Sequence, residues 1–123
     1  MIAQARAELP NECCGLLAGH IVDGQGVVET RYPLRNDLAD PTEFNADPRD
    51  LLAAHKDMRR RGLDLLAIYH SHPTSAAIPS RKDCERSYSD EVMSLIIGLP
   101  DSTVRAWWLT ESGYREADWG IVE

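Results

Sequence analysis

No apolar run in this 123-residue chain approaches the roughly 20 residues that a membrane-spanning helix needs. Met1 to Pro10 lacks the cationic start and apolar stretch of a secretory signal. The chain has only three cysteines, two of them adjacent (Cys13 and Cys14), which make neither a disulfide framework nor a CxxC metal clip. They read as reduced thiols, and the expected compartment is the cytoplasm. Basic residues are too few, 13 against 20 acidic ones, and the arginines form no stripe interleaved with aromatics. Neither nucleic acid nor a membrane is therefore an expected partner. The net charge of −7 suits a soluble protein and would steer basic surfaces toward it. No repeat, low-complexity tract or linker interrupts the chain, so residues 1–123 are expected to form one domain, long enough to bury a core without staples.

What is present alternates between helix and strand signals. Residues 1–8 favour helix, and Pro10 and Asn11 stop it. The short apolar run CCGLLAGHIV, the turn residues Asp23-Gly24-Gln25-Gly26 and the β-branched VVETRY predict a hairpin. A polar loop with at most a short strand around Phe44 follows. Asp47 then fits an N-cap, Pro48 the first helical position, and Gly62 the residue past the end. Leu51, Leu52, Ala54, His55 and Met58 would form this helix's apolar face, with Arg59 to Arg61 complementing its dipole. A buried strand from Leu65 to Tyr69, a short helix from Ser80 to about Ser87, and strands at VMSLIIGL, VRAWWL and YREAD complete the pattern. The expected fold is α/β, with a mixed sheet packed against helices.

The predicted buried strand runs into YHSHP. Alternate side chains of a strand share a face, so His70 and His72 point the same way at a rim open to a ligand, with Ser71 turned opposite. Pro73 restricts His72 to extended backbone. A loop from Pro73 to Pro79 leaves room for a helix starting at Ser80, and one turn in, Asp83 could face the histidines. Two neutral imidazoles and a carboxylate are a catalytic zinc ligand set whose fourth position stays open for water, whose pKa the metal brings to about 7. Such a hydrolase also needs a carboxylate that accepts the water's proton, and Glu12 is the candidate.

Glu12, His70-Ser71-His72-Pro73, Ser80 and Asp83, together with LPNECCGLLAG and YPLRN, resemble the JAMM (MPN-positive) metalloprotease family, in particular its short bacterial members. The resemblance covers nearly the whole chain and departs at the N-terminus, where the family usually carries a few more residues before its first helix. It implies a curved mixed β-sheet flanked by helices, layered like cytidine deaminases. It also implies zinc bound by His70, His72 and Asp83, Glu12 as general acid/base, and Ser80 holding the water and stabilising the oxyanion. The implied substrate is a ubiquitin-like or sulfur-carrier protein with an extended C-terminal tail, added beside a sheet edge with its scissile carbonyl over the metal. Without long insertions, specificity would rest on residues 36–47 and 85–91. The implied function is that of a zinc isopeptidase.

Plainer readings compete. Ser80 to Asp83 is also a capping box. Cys13 and Cys14 could suggest a thiol nucleophile, but alternation leaves at most one near a site and no orienting residue is identifiable. Cys84 is expected to pack the short helix. A zinc nucleobase deaminase would need His-x-Glu and PCxxC, which do not occur. A non-catalytic MPN scaffold, or a zinc hydrolase of small-molecule amides, is the alternative function. Of Trp107 and Trp108, one should face the core and the other a groove or solvent. His20 reads as a turn residue and His55 as a helix-surface residue.

Overall fold

The computed structural model describes residues 1–85, 92–110 and 112–120. Its elements are α1 (Ile2–Ala7), β1 (Cys14–Val22), β2 (Gln25–Leu34), α2 (Pro48–Arg61), β3 (Asp64–His72), α3 (Arg81–Glu85), β4 (Met93–Gly98), β5 (Thr103–Thr110) and β6 (Gly113–Ala117). The six strands form one sheet in the order β2-β1-β3-β4-β5-β6. Only β3 and β4 run parallel; every other pair is antiparallel. The parallel pair is the one joined by a long connection, the segment that contains α3, as a parallel crossover requires. This is the mixed, helix-flanked sheet that the sequence predicts.

Local chemistry explains the boundaries. Asp23 and Gly24 turn the β1–β2 hairpin with φ of 51° and 78°, the paired positive angles that Asp-Gly supplies most readily. His20 lies within β1, not in the turn, because the strand runs on to Val22; it faces Glu29 at 3.5 Å. On α2, the Asp47 side chain accepts from the N–H groups of Arg49 and Asp50, and Gly62 closes the helix at φ 67°. The buried stripe of α2 is narrower than expected: Ala54 and Met58 are buried, while Leu52 and His55 are exposed. Tyr32 of β2 donates a 2.5 Å hydrogen bond to Asp57, which also pairs with Arg60 and Arg61 and so clamps α2 to the sheet.

Both faces of the central strands are covered. Cys13, Leu17, Ala67, Tyr69, Leu95, Ile97 and Ala106 pack with Ala5 of α1, so the first helix docks on the core. The alternate residues Cys14, Leu16 and Ala18 pack with Ala54 and Met58 of α2. Cys84 of α3 joins Ile96, Trp107 and Leu109 farther along. Register shifts lie on either side of Ala18: Glu29 is the extra residue opposite β1 on one side and Leu66 on the other. Such bulges increase local twist and curve the sheet. No helix among the described residues is long and apolar enough to cross a membrane.

Gly15 pairs with Tyr69, whose ring lies across it: a Cβ there would come within 2.1 Å of the ring. The ring cannot retreat easily, because Tyr69 is fully buried and its hydroxyl donates to Gln4 Oε1 at 2.5 Å and accepts from Arg31 at 3.3 Å. Gly15→Ala is expected to lower the unfolding free energy by about 1–3 kcal/mol, the usual cost of overpacking, measured by urea denaturation. Wild-type stability would mean that the ring does not occupy that space.

Candidate metal centre

The site grows from the register of β1 on β3. Cys14, the first residue of β1, pairs with His70, so continuing that register two residues back brings Glu12 opposite His72 on the same face. Ser71, on the other face, holds this start of β1 in place. Its N–H donates to the Cys13 carbonyl at 3.1 Å, and its Oγ accepts from the Cys13 N–H at 2.8 Å. Ser71 is fully buried and belongs to the sheet, as its orientation predicts.

After Pro73 the chain folds back over the end of β3. His72 Nδ1 lies 2.9 Å from the Ala76 carbonyl. A carbonyl can only accept, so Nδ1 carries the proton and Nε2 is left with a free lone pair. This loop is held from beneath. Trp107 Nε1 donates to the Ala77 carbonyl at 2.9 Å, and Gly98 gives the passing backbone room, since a Cβ there would sit 2.7 Å from Ala77 N. Trp107 is thus the buried tryptophan on the site's face, and Trp108 is half-buried on the opposite one. One of the pair thus faces the core, as expected, and the other is partly exposed on the far face, away from the site.

Ser80 and Asp83 form a reciprocal cap. Ser80 N–H donates to Asp83 Oδ2 at 2.8 Å, and Asp83 N–H donates to Ser80 Oγ at 3.1 Å. The same carboxylate reaches the histidines: Oδ1 lies 3.1 Å from His70 Nε2, and Oδ2 lies 3.1 Å from His72 Nε2. The two imidazole Nε2 atoms are 3.3 Å apart. A metal at about 2.0–2.1 Å from tetrahedral nitrogen ligands separates them by roughly 3.3 Å, so these donors fit one face of such a polyhedron. His70, His72 and Asp83 could therefore hold a metal ion together. All three side chains are no more than 7 % exposed.

The electrostatics follow. Burial pushes Asp83 up, but its bonds with His70 and His72 and the Ser80 N–H outweigh that and hold its carboxyl far below the usual range. Burial pulls His72 down, but Asp83 and the Ala76 carbonyl more than compensate, so its pKa is raised. Burial pushes Glu12 up to about 8, with His72 pulling it down and Asp83 pushing it up. Glu12 is 2 % exposed, and its Oε1 is the buried side-chain oxygen left without a hydrogen-bond partner among the described residues. A buried carboxyl is costly without a partner.

Four of the sequence-predicted site residues, Glu12, His70, His72 and Asp83, thus share one corner of the fold, with Ser80 exposed beside Asp83. Cys13 and Cys14 are buried, with thiol pKa values raised by burial, that of Cys14 to about 12, which leaves no thiolate for attack. Cys84 is buried against β5 as expected. In the expected specificity segments, residues 36–47 border the site, whereas 86–91, with the predicted end of the short helix, lie outside the described residues. Sequence reasoning missed Phe44, whose ring stacks on His70 with centroids 4.8 Å apart. Lone apolar character in a polar loop was its only signal. The sheet's edges are β2 and β6, so the nearest added strand would lie three strand spacings from β3, about 14 Å in the sheet plane.

Residues 1–110 match the family of prokaryotic homologues of the JAB domain. A probable TtuB-protein conjugate cleaving protease of Thermus thermophilus is 46% identical over 81 residues, 65% of this chain and 51% of that protein. The chain thus spans about half the length of that relative. The CysO-cysteine peptidase of Mycobacterium tuberculosis is 28% identical over 126 aligned positions, covering 100% of this chain and 85% of the peptidase. The solution structure of a protein from Desulfitobacterium hafniense superposes with a TM-score of 0.86 at 38% identity, covering 96% of this chain and 83% of that one.

Asp83→Ala is expected to abolish binding of a divalent cation, read by elemental analysis after gel filtration; retained stoichiometry would remove Asp83 from the ligand set. The metal-free chain should lose stability as pH rises. Folded Glu12 keeps a proton that the unfolded chain releases between about pH 4.5 and 8, and His72 keeps one beyond its ordinary range near 6.5. Both contributions are present at low pH and fade as pH climbs through the folded values. Adding a metal should reverse the slope, because it binds the deprotonated imidazoles. Thermal melts of metal-free and metal-loaded protein from about pH 5 to 9 test both signs.

Proposed function

The chain belongs to the prokaryotic homologues of the JAB domain, and on that premise we propose that it is a cytoplasmic zinc metallopeptidase of JAMM isopeptidase type. Its substrate would be an amide bond at the C-terminal tail of a ubiquitin-like or sulfur-carrier protein. The observation that carries this reading is the convergence of His70 Nε2, His72 Nε2 and the Asp83 carboxylate beside the partnerless carboxyl oxygen of Glu12. Two neutral imidazoles with one carboxylate suit zinc with a position left over. Bound there, the cation would supply Lewis acidity, bringing a water's pKa toward neutrality and polarising the scissile carbonyl.

The remaining work falls to the chain. The Ala76 carbonyl fixes the His72 tautomer, Phe44 fixes the plane of His70, and the Ser80 N–H shares the charge on Asp83. Glu12 takes the proton of the attacking water and returns it to the leaving amine. Ser80 presents its hydroxyl to solvent while its Oγ accepts from Asp83, leaving the O–H free to donate to the developing oxyanion.

The relatives support the substrate class. One is named for cleaving TtuB–protein conjugates and another for cleaving a cysteine adduct of CysO, so both are named for bonds made to a protein. Three buried, unpaired cysteines fit a reducing compartment. The non-catalytic scaffold reading loses ground because every ligand type is in place.

Zinc-loaded protein should cleave one or more members of a panel of carrier-protein conjugates and carrier–cysteine adducts, and chelation should stop it. Glu12→Gln is expected to keep zinc and lose at least about 100-fold in turnover, the scale of general-base catalysis. A zinc-bound Glu12→Gln variant with wild-type turnover would remove Glu12 as the base. Cleavage of small amides in place of conjugates would move the substrate class.

A further inference from the structure

Asn36 is buried, 8 % exposed, at the end of β2, outside the ligand set and outside reach of any reacting atom described above. Its amide spends its whole hydrogen-bonding capacity. Nδ2 donates to the carbonyls of Glu12 at 3.1 Å and Glu43 at 3.0 Å, and Oδ1 accepts from the N–H groups of Leu38 at 3.1 Å and Asn45 at 2.9 Å. These partners surround the site. Glu43 and Asn45 flank Phe44, the ring stacked on His70. Glu12 is held twice by the same segment, since its own N–H donates to the Asp40 carbonyl at 2.9 Å. The segment is closed at its base by Asp37 N–H to Asn45 carbonyl at 2.9 Å, and Glu43 reaches across to Lys82 of α3 at 3.0 Å.

We infer that Asn36 is a positioning residue which, through one side-chain amide, sets both the backbone of Glu12 and the Phe44 ring that orients His70. The base and one metal-binding imidazole are then placed by a common post, and neither can shift without disturbing the other. No other side chain type fits the post. Aspartate has the same shape but turns two donors into acceptors aimed at two carbonyls, and alanine removes all four hydrogen bonds at once. The inference rests on the proposed metallopeptidase reading for its effect on turnover, but not for its effect on the Phe44–His70 stack.

The test compares wild type, Asn36→Asp and, as a control for simple loss of stability, Tyr32→Phe, which removes the remote clamp between β2 and α2. With Co²⁺ as the probe metal, Asn36→Asp should bind about 10- to 100-fold more weakly, the range for groups that orient a ligand. Turnover of the conjugate cleaved by wild type should fall at an unchanged KM. In the metal-free protein, the His70 ring-proton resonances should lose the shift that the stacked Phe44 imposes. Tyr32→Phe should lower the melting temperature and leave all three readouts alone. If Asn36→Asp melts lower but keeps Co²⁺ affinity, turnover and the His70 shift, it is only a structural residue and the inference fails. If wild type itself binds no Co²⁺, the metallopeptidase reading fails instead, and the ring shift alone decides the role of Asn36.

Discussion

The pairing of Cys14 with His70 is the constraint on which the site depends. Sheet geometry allows no half-steps: a slip of one residue would turn Glu12 to the α1 face and put Cys13 beside His72. The fold guards against that slip from both sides. Ser71 and Cys13 exchange a pair of hydrogen bonds on the far face, and Tyr69 closes over Gly15 in a space that admits no other residue's Cβ. Core packing on one face thereby fixes chemistry on the other. This is why a strand so deeply buried ends in polar side chains.

A second theme is sharing. Asp83 serves a helix start and two imidazoles with the same carboxylate, so a capping box and a metal-ligand role for Ser80 to Asp83 do not exclude each other. The cap holds the carboxylate rotamer that the histidines need, so the short α3 is pinned at the end that matters. Trp107 likewise fills the core and donates to the loop over His72. Little of the site is built from residues with a single task.

Much of this was legible from residues alone because it is written in local chemistry. Asp-Gly for the hairpin, Asp47-Pro48 and Gly62 for α2, and the period-two spacing of His70 and His72 act over a few residues, and each landed where expected. The carboxylate of Asp83 came from spacing plus resemblance. Other features depend on contacts between distant segments. The bulges at Glu29 and Leu66, the stack of Phe44 on His70 and the four bonds of Asn36 leave no periodic trace, because a side chain that bonds to backbone groups meets the same atoms whatever the partner residue is. The over-wide apolar face assigned to α2 has a related cause: Leu52 has the right character, but the sheet covers only Ala54, Met58 and the partly buried Leu51.

The outer strand β2 carries the extra residue Glu29 midway and Pro33 near its end. Both spoil the flat ladder of free N–H and carbonyl groups that a neighbouring chain would need for zipping on. The neighbouring hairpin tip already exposes Ile21, Val22 and Val28. Keeping that margin crooked denies a second backbone a template to lie along, while the imidazole cluster sits away from it, at the end of β3.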